Sequence, residues 1–307
     1  MLKDSDPPVY GIDALPPISY APSANVLASL VRRSAPDARQ PVSVLTVGNP
    51  QYPNQSETGK SDTRERPSPP AESDAVPAGG PPALRGEHRS LTAVTRDAYL
   101  DLGGRLPPLP GTAAECRRAA GAFGVAHVKV LEGPDATEQK VRLAVQGRRI
   151  VHLAAHGLLD DGHENLFGAI ALTPPGPDDD SPDNDGFLML HEVHALKLAG
   201  CDLAVLSACQ TNVGPQRPLE AASSLAQAFL TAGAKRVISS HWNVADASTA
   251  ELMGAFFDEV ARSFEQGDPV NYALALRNAR RYIRSQPQWS GPYYWAPFVL
   301  IGPAANE

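Results

Sequence analysis

Two stretches of the sequence place a reactive side chain directly after an apolar run. In CDLAVLSACQT (201–211), a run of strand character ends in small residues, Cys209 and a polar loop. In RIVHLAAHG (149–157), a similar run ends at His156 and Gly157. Side chains at the carboxyl ends of strands in an open parallel sheet face the crevice that holds ligands. A thiol and an imidazole meeting there would supply a nucleophile and a group that exchanges protons with it.

The chemistry of a thiol explains why Cys209 would need a partner. A cysteine with an ordinary pKa of ~8.5 is mostly protonated at neutral pH, and only the thiolate attacks efficiently. His156 can draw off that proton or stabilise the thiolate. Gly157 has no side chain, so its N–H could point with the N–H of Cys209 at a developing oxyanion. The sequence therefore predicts Cys209 and His156 as catalytic residues, and Gly157 and Cys209 as the oxyanion hole.

The elements that would position these residues alternate between strand and helix. His156 and Cys209 lie 53 residues apart, which suits two strands joined by a crossover. Ser23 precedes a helix as its cap, Thr112 and Glu115 have the spacing of a capping box, and Ser248 precedes a further helix. Alternation of this kind predicts an α/β fold with a mostly parallel sheet and helices on both faces. The predicted helices are 24–32, 112–123, 135–145, 190–198, 219–232, 249–264 and 269–285, and the predicted strands include 41–47, 125–131, 149–155, 169–172, 236–240 and 295–301.

Composition narrows the classes of partner. The chain has 307 residues, 42% of them hydrophobic, and a formal net charge of −7. That is enough apolar material for a large core, and the acidic balance argues against a nucleic-acid groove. The three cysteines form no CxxC pair and no even framework, so free thiols in a reducing compartment are expected. With neither a signal peptide nor a membrane span in the sequence, we expect a cytoplasmic protein that does not contact membranes.

One stretch has a different composition from the rest. Residues 51–90 are rich in Pro, Ser, Gly, Glu and Arg and almost lack large apolar side chains. Such a segment cannot bury enough surface to offset the entropy of ordering. We expect 54–90 to be a disordered or mobile insertion in a single domain made of 1–53 and 91–307.

Several segments in a fixed order carry a family resemblance. The segments are HLAAHG (152–157), LSACQT (206–211), AFLTAGA (228–234), WNVAD (242–246) and YYWAPF (293–298). Together they resemble the CHAT family of caspase-like peptidases, distant relatives of separase. The 53-residue spacing is also close to the ~50 residues that separate the histidine and cysteine in caspases. On this resemblance, the amino-terminal 150 residues or so correspond to the first half of the domain.

The resemblance implies a function as well as a fold. It indicates a cysteine endopeptidase that cleaves a protein substrate through a Cys209–His156 dyad, without a cofactor or metal. Family members are similar to regulated proteases of bacterial antiviral defence and cell-death pathways, which implies a separate activating protein as a partner. The alternative is a catalytically silent caspase-like scaffold that acts as a protein-interaction or signalling module, because a fold alone does not establish activity.

Three residues are candidates for substrate binding. Asp246 matches an acidic position of the similar separase motif, where a carboxylate would favour Arg or Lys before the cleaved bond; it could equally cap the next helix. Trp242 could line the pocket wall or simply pack. Asp160, close behind His156, could face the substrate or belong to a solvated loop.

Competing sites are weaker. His191, Glu192 and His194 concentrate potential zinc ligands, but not at the spacing of HExxH. Cys116 and Cys201 are interpreted as structural, since each lies at the start or within the body of a regular element with no histidine placed to activate it. A calcium loop is also conceivable, although a serine stands at its first position and a proline at its second. Its ligands would be Ser181, Asp183, Asp185, Gly186 and Glu192.

Overall fold

The computed structural model describes residues 10–33, 41–52, 106–158, 168–175, 184–207, 218–242 and 245–305, with side chains from 225 onward in the helix that begins at Pro218. These residues belong to one compact unit, Met1–Tyr52 with Leu106–Glu307. The expected insertion at 54–90 lies outside the described residues, so its mobility and the domain boundaries stay predictions.

A six-stranded sheet forms the centre of this unit. The strands are β1 (Val44–Pro50), β2 (Val128–Gly133), β3 (Ile150–Ala154), β7 (Leu203–Leu206), β8 (Val237–Ser240) and β9 (Phe298–Ile301). Their order in the sheet is β2-β1-β3-β7-β8-β9, and all neighbours are parallel except the antiparallel pair β8 and β9. The α/β class with a mostly parallel sheet is thus confirmed.

Side chains alternate between the two faces of the sheet, and each face has its own apolar core. Leu153 and Leu206 point to one core, whereas Ile150 and Val205 point to the other. A strand buried on both faces reads as a continuous apolar run, which is why the sequence around β3 and β7 shows no polar alternation. Helices cover both faces, as predicted.

The described helices lie mostly where the sequence predicts them. Periodic apolar residues and local stop signals fix their positions, and the ends differ by a few residues. They are α1 (Gly11–Ala14), α2 (Ala24–Arg32), α3 (Pro110–Phe123), α4 (Glu138–Ala144), α5 (Leu190–Ala195), α6 (Pro218–Ala232), α7 (Asp246–Gln266), α8 (Tyr272–Ser285) and α9 (Pro292–Trp295).

The predicted caps have mixed outcomes. Ser23 caps α2 as expected, because its side chain accepts from the N–H of Val26. The capping box at Thr112 and Glu115 is wrong, since α3 begins two residues earlier and both side chains bind other parts of the protein. Ser248 is also not a cap: it lies inside α7 and donates back to the carbonyl of Ala245.

A small antiparallel sheet follows β3 directly. It consists of β4 (His156–Leu158), β5 (Ala169–Ala171) and β6 (Phe187–Met189), in that order. The sequence predicts only β5 of these three. β5 stands apart as the run 169–172, whereas β4 directly follows the predicted strand 149–155 and β6 directly precedes the predicted helix 190–198, so their patterns merge with those elements.

The amino-terminal residues are part of the fold. Tyr20 donates its N–H to the carbonyl of Leu300 at 2.8 Å and accepts from the N–H of Gly302 at 2.8 Å, beside the outer strand β9. The guanidinium of Arg33 donates to the carbonyls of Leu230 and Ala234 at the end of α6. These contacts attach the segment before β1 to elements more than 190 residues away in sequence.

Candidate active site

Three neighbouring strands end at the same edge of the sheet. β3 and β7 are parallel, with Leu153 opposite Leu206, and β8 continues the pattern with Ser239 opposite Leu206. Beyond these strand ends come His156, Ser207 and Trp242. The topology therefore brings the segments that sequence reasoning selected to one edge, where α/β folds bind ligands.

His156 is fully buried at this edge, with 0% of its surface exposed. Its Nε2 lies 2.7 Å from the carbonyl oxygen of Pro107. A carbonyl can only accept, so Nε2 carries the proton. Nδ1 has no hydrogen-bond partner among the described residues. The neutral imidazole thus has its lone pair on Nδ1, where it can accept a proton.

The surroundings of His156 keep it neutral. Burial lowers the pKa of His156, because the charged form loses its hydration. The carbonyl of Pro107 and the negative charge of Asp246 act in the opposite direction and raise the pKa, but burial has the larger effect. A neutral imidazole near neutral pH is the form that can take a proton from a thiol.

Tyr52 touches both His156 and the small sheet. Its hydroxyl donates to the carbonyl of Ala171 at 3.0 Å and accepts from the N–H of His156 at 3.5 Å. The rings of Tyr52 and His156 have centroids 5.4 Å apart. Tyr52 therefore links His156 to β5 and restrains the imidazole.

The Pro107 carbonyl lies just before α3, and the first turn of that helix holds the chain in place. Gly111 donates its N–H to Oδ2 of Asp246 at 2.5 Å. A Cβ at position 111 would collide with that carboxylate, which explains the glycine there. Thr112 Oγ1 accepts from the N–H of Asn49 at 2.7 Å and donates to the carbonyl of Leu109. The chain just after Pro107 is therefore fixed against both β1 and α7.

Asp246 and Trp242 are half-buried residues of this region. Asp246 begins α7, and its carboxylate caps α3 through Gly111 rather than its own helix. Trp242 follows β8 and donates its indole N–H to the carbonyl of Tyr293 at 3.1 Å. The structure thus gives Asp246 a structural role and a charge that acts on His156, and it leaves the indole partly accessible.

The remaining predicted site residues have different outcomes. Gly157 is buried in β4, opposite Ile170 of β5. Cys209 and Asp160 lie outside the described residues, so their roles stay predictions. Cys116 and Cys201 are buried free thiols, and burial raises the pKa of each to about 12, as expected of structural cysteines.

Sequence reasoning missed the groups that orient His156. The Pro107 carbonyl and the Tyr52 hydroxyl come from positions 49 and 104 residues away. A backbone carbonyl leaves no residue-type signal. The sequence also gave no role to His152, which lies in β3 and binds Glu115 of α3 at 3.0 Å. The available hint was a second histidine, His152, within the predicted strand that leads to His156.

The alternative metal sites find no support in the described ranges. No group of three His, Cys, Asp or Glu side chains there comes together as a possible metal site. Glu192 accepts from Arg142 at 3.1 Å and from the N–H of Met189 at 2.9 Å. Asp185 accepts from the N–H of Phe187. Ser181 and Asp183 of the calcium pattern lie outside the described residues.

Within the described part of the chain, none of the helices combines the length and the apolar character of a membrane span.

Comparison with known proteins establishes the family. The model of the CHAT domain matches residues 16–303, so the chain belongs to the CHAT domain family. A curated relative, Tetratricopeptide repeat protein 28 of Homo sapiens, is 25% identical over 220 residues, which is 64% of this chain and 8% of that protein. The chain thus spans less than a tenth of that relative's length.

Two solved structures resemble the fold at low similarity. One is the Arg specific cysteine proteinase gingipain R, with a TM-score of 0.43 and 11% identity over 66% of this chain and 43% of the other. The second is the complex of Porphyromonas gingivalis RgpB pro- and mature domains, with a TM-score of 0.42 and 13% identity over 66% of this chain and 44% of the other. At these TM-scores we base no functional conclusion on either structure.

Proposed function

We propose that this chain is a cysteine endopeptidase that cleaves a protein substrate, with Cys209 as nucleophile and His156 as its acid–base partner. The observation that carries this proposal is the state of His156. Its Nε2–H is fixed on the Pro107 carbonyl, and its buried Nδ1 has no partner among the described residues. Leaving a buried acceptor unpaired costs about 1–3 kcal/mol, which favours a partner that arrives for the reaction.

The adjacency of β3 and β7 supports a thiol as that partner. Ser207 donates its N–H to the carbonyl of Leu153 at 2.9 Å, so the chain after β7 begins beside the chain that leads to His156. Cys209 follows only two residues later, and two residues of extended chain span at most about 7 Å. This short separation in sequence supports Cys209 as the partner of His156.

The reaction follows from the protonation state of His156. Nδ1 accepts the proton of the Cys209 thiol, and the sulfur forms a bond with the scissile carbonyl carbon. The tetrahedral intermediate collapses, the C–N bond breaks, and the proton on Nδ1 goes to the leaving amine. Water, deprotonated by the same nitrogen, then hydrolyses the thioester and releases the free carboxyl product and the thiol.

The oxyanion and substrate sites form part of the same proposal. Gly157 directly follows His156, and its N–H with that of Cys209 would stabilise the oxyanion; one such donor is typically worth about 3 kcal/mol. Trp242 would line the pocket wall, in keeping with its half-exposed position after β8. Asp160 would face the substrate. Asp246 would favour a basic side chain only through its free lone pairs, since Oδ2 accepts from Gly111.

The cellular setting also remains a proposal. On the family resemblance, the peptidase would act in the cytoplasm in a bacterial defence or cell-death pathway, including antiviral defence. A separate protein would switch it on. Neither a cofactor nor a metal, and neither nucleic acid nor a membrane, takes part in the chemistry derived above.

Thiol alkylation tests the nucleophile. With limiting iodoacetamide at neutral pH, Cys209 should be labelled at least about tenfold faster than Cys116 or Cys201, because those thiols are buried and their pKa is raised to about 12. His156→Asn should slow the labelling of Cys209 and leave the other two unchanged. Equal labelling of all three thiols in the wild type would support a catalytically silent scaffold.

Proteolysis tests the reaction itself. Wild type, Cys209→Ala and His156→Asn are incubated with a peptide library, and products are identified by mass spectrometry. Cleavage should disappear in both variants, while Cys201→Ala serves as the control for removal of a thiol away from the site. Cleavage that persists in Cys209→Ala would rule out the proposed mechanism.

A further inference from the structure

A chain of polar contacts crosses the apolar interior between α3 and the sheet. His152 of β3 places Nδ1 2.8 Å from Thr46 Oγ1 of β1 and Nε2 3.0 Å from Glu115 Oε2 of α3. Thr46 Oγ1 in turn donates to Cys116 Sγ at 3.1 Å. All four side chains are at most 1% exposed. The cluster is thus fully removed from solvent.

The protons in this cluster can be assigned from its donors. Thr46 has one hydroxyl proton and donates it to Cys116, so its oxygen accepts from the Nδ1–H of His152. A second proton lies between Nε2 of His152 and Glu115. Glu115 and His152 are therefore hydrogen-bonded to each other. Each polar atom along the path therefore has a defined partner.

If stability were the only requirement, apolar side chains in place of Glu115 and His152 would serve at least as well. The neighbours of His152 on this face include Phe257, whose ring centroid lies 5.1 Å from that of the imidazole. Buried ion pairs are often no more stable than well-packed apolar side chains of the same volume, and their better-attested use is to specify one arrangement of the elements that carry them. The arrangement specified here is that of α3 against β3.

That arrangement matters because of what α3 presents at its start. Glu115 and Cys116 lie one turn after Gly111 and Thr112, whose contacts fix the first turn of the helix. The chain entering this turn presents the Pro107 carbonyl to Nε2 of His156. A shift of α3 along β3 would therefore move the acceptor that defines the tautomer of His156.

The same histidine touches the segment before Cys209. Nε2 of His152 lies 3.4 Å from Oγ of Ser207, which directly follows β7. Ser207 is the last described residue before the proposed nucleophile. One buried imidazole thus contacts α3 and the end of β7 together.

We propose that Glu115 and His152 are positioning residues: the buried pair holds α3 in register with β3, so that the Pro107 carbonyl keeps the proton of His156 on Nε2 and leaves Nδ1 free for the reaction. This inference extends the proposed function, but its central claim concerns the tautomer of His156 and can be measured in a protein without activity.

The experiment is histidine nitrogen NMR on the full chain. The eight histidines are labelled with ¹⁵N, and the signals of His156 are assigned as those that disappear in His156→Asn. In the wild type, its nitrogen shifts should show the proton on Nε2. In Glu115→Gln and in Thr46→Val, the signal should move towards a mixture of the two tautomers. Thr46→Ser keeps the hydroxyl and should restore the wild-type signal.

A matched control separates positioning from loss of stability. Asp202 is also a buried carboxylate, 1% exposed, and it pairs with Arg149 just before β3. Asp202→Asn should destabilise the fold and leave the His156 tautomer unchanged. A Glu115→Gln protein with a wild-type His156 signal would overturn the proposal. So would an Asp202→Asn protein that shifts this signal as much as Glu115→Gln does.

Activity supplies the second measurement. Glu115→Gln should lower the rate of Cys209 alkylation about tenfold and alter its pH profile, and Asp202→Asn should do neither in the folded protein. An unchanged alkylation rate and pH profile in Glu115→Gln would contradict the proposal. If the wild type itself shows no selective alkylation, the proposed peptidase function fails, while the tautomer measurement still decides the positioning role.

Discussion

The two edges of the central sheet handle buried polar groups in opposite ways. Just before β3, β7 and β8 lie Arg149, Asp202 and Arg236, which bind one another: Arg149 Nε lies 2.8 Å from Asp202 Oδ2, and Arg236 Nη1 lies 3.5 Å from Oδ1. Arg236 also donates to the carbonyl of Pro303. At the other edge, His156 has one nitrogen bound and one without a partner among the described residues.

The difference indicates that the charged cluster before β3, β7 and β8 stabilises the fold, whereas the edge at His156 has the features of the proposed active site. The guanidinium of Arg236, just before β8, stacks over the ring of Tyr272, 4.5 Å from its centroid. The aromatic ring therefore covers one face of this charged group. The Tyr272 hydroxyl has no partner among the described residues, but it is neutral, since burial raises its pKa. Charges at that edge are matched within the fold, whereas Nδ1 of His156 has no partner among the described residues, as the proposed acid–base role requires.

The largest expected effects come from replacing one polar side chain at each edge of the sheet, His156 at one and Asp202 at the other. His156→Asn should reduce peptidase activity by about 10²–10⁴-fold with little change in the free energy of unfolding. Asp202→Asn should cost about 3–5 kcal/mol of unfolding free energy, because it leaves buried guanidinium charges without their carboxylate. Denaturant titration and peptide cleavage measure the two. Equal stability losses in both variants would remove the contrast between the edges.

A second test concerns the first turn of α3, which directly follows the segment with the Pro107 carbonyl. Gly111→Ala places a methyl group against the Asp246 carboxylate, so we expect a loss of about 1–3 kcal/mol and a parallel fall in activity. Gly121→Ala is the matched control in the same helix, because nothing lies within 4 Å of its added Cβ. That variant should be about 1 kcal/mol more stable. Similar thermal midpoints for the two variants would argue against a tight α3–α7 junction.

A buried acid away from both edges provides an intermediate effect. Burial, together with Glu192 and partly offset by Arg142, raises the pKa of Glu138 to about 8, and the nearby Asp185 also has a raised pKa. Between the unfolded value of about 4.3 and the folded value, the native state binds more protons, so its stability falls as pH rises. The Glu138→Gln substitution removes this pH-dependent loss of stability.

The measurement is the unfolding free energy of Glu138→Gln minus that of the wild type. This difference should increase by roughly 3 kcal/mol from pH 5 to pH 8, since one proton bound only in the native state changes the stability by about 1.4 kcal/mol per pH unit. A difference that stays flat or decreases over that range would show that Glu138 is charged in the folded protein.

The smallest expected effect is electrostatic. Asp246 raises the pKa of His156, so Asp246→Asn should lower that pKa further and move the acid limb of the kcat/KM profile to lower pH. Because the asparagine oxygen can still accept from Gly111, stability should fall by only about 1 kcal/mol. An acid limb that moves to higher pH would contradict the assigned sign of the interaction.

Local sequence patterns predicted the helices and strands, whereas contacts between residues far apart in sequence determine the geometry of the candidate site. The cap at Ser23 was predicted because the hydroxyl oxygen and the N–H that donates to it are only three residues apart. The Thr112–Glu115 box failed because Asn49 and His152, brought close only by the fold, bind those side chains instead. His156 was found from its place after an apolar run. The Pro107 carbonyl that orients it was not, since residue type says nothing about a backbone acceptor.

The contacts of Tyr20 have a consequence for shortened versions of the protein. Because Tyr20 uses both its N–H and its carbonyl beside β9, the outer margin of the sheet is closed there by the chain itself. A truncation that begins at β1 would leave the backbone groups of Leu300 and Gly302 unpaired at an open strand edge. Open edges of this kind recruit strands from other molecules. Fragments that omit the amino-terminal segment should therefore aggregate.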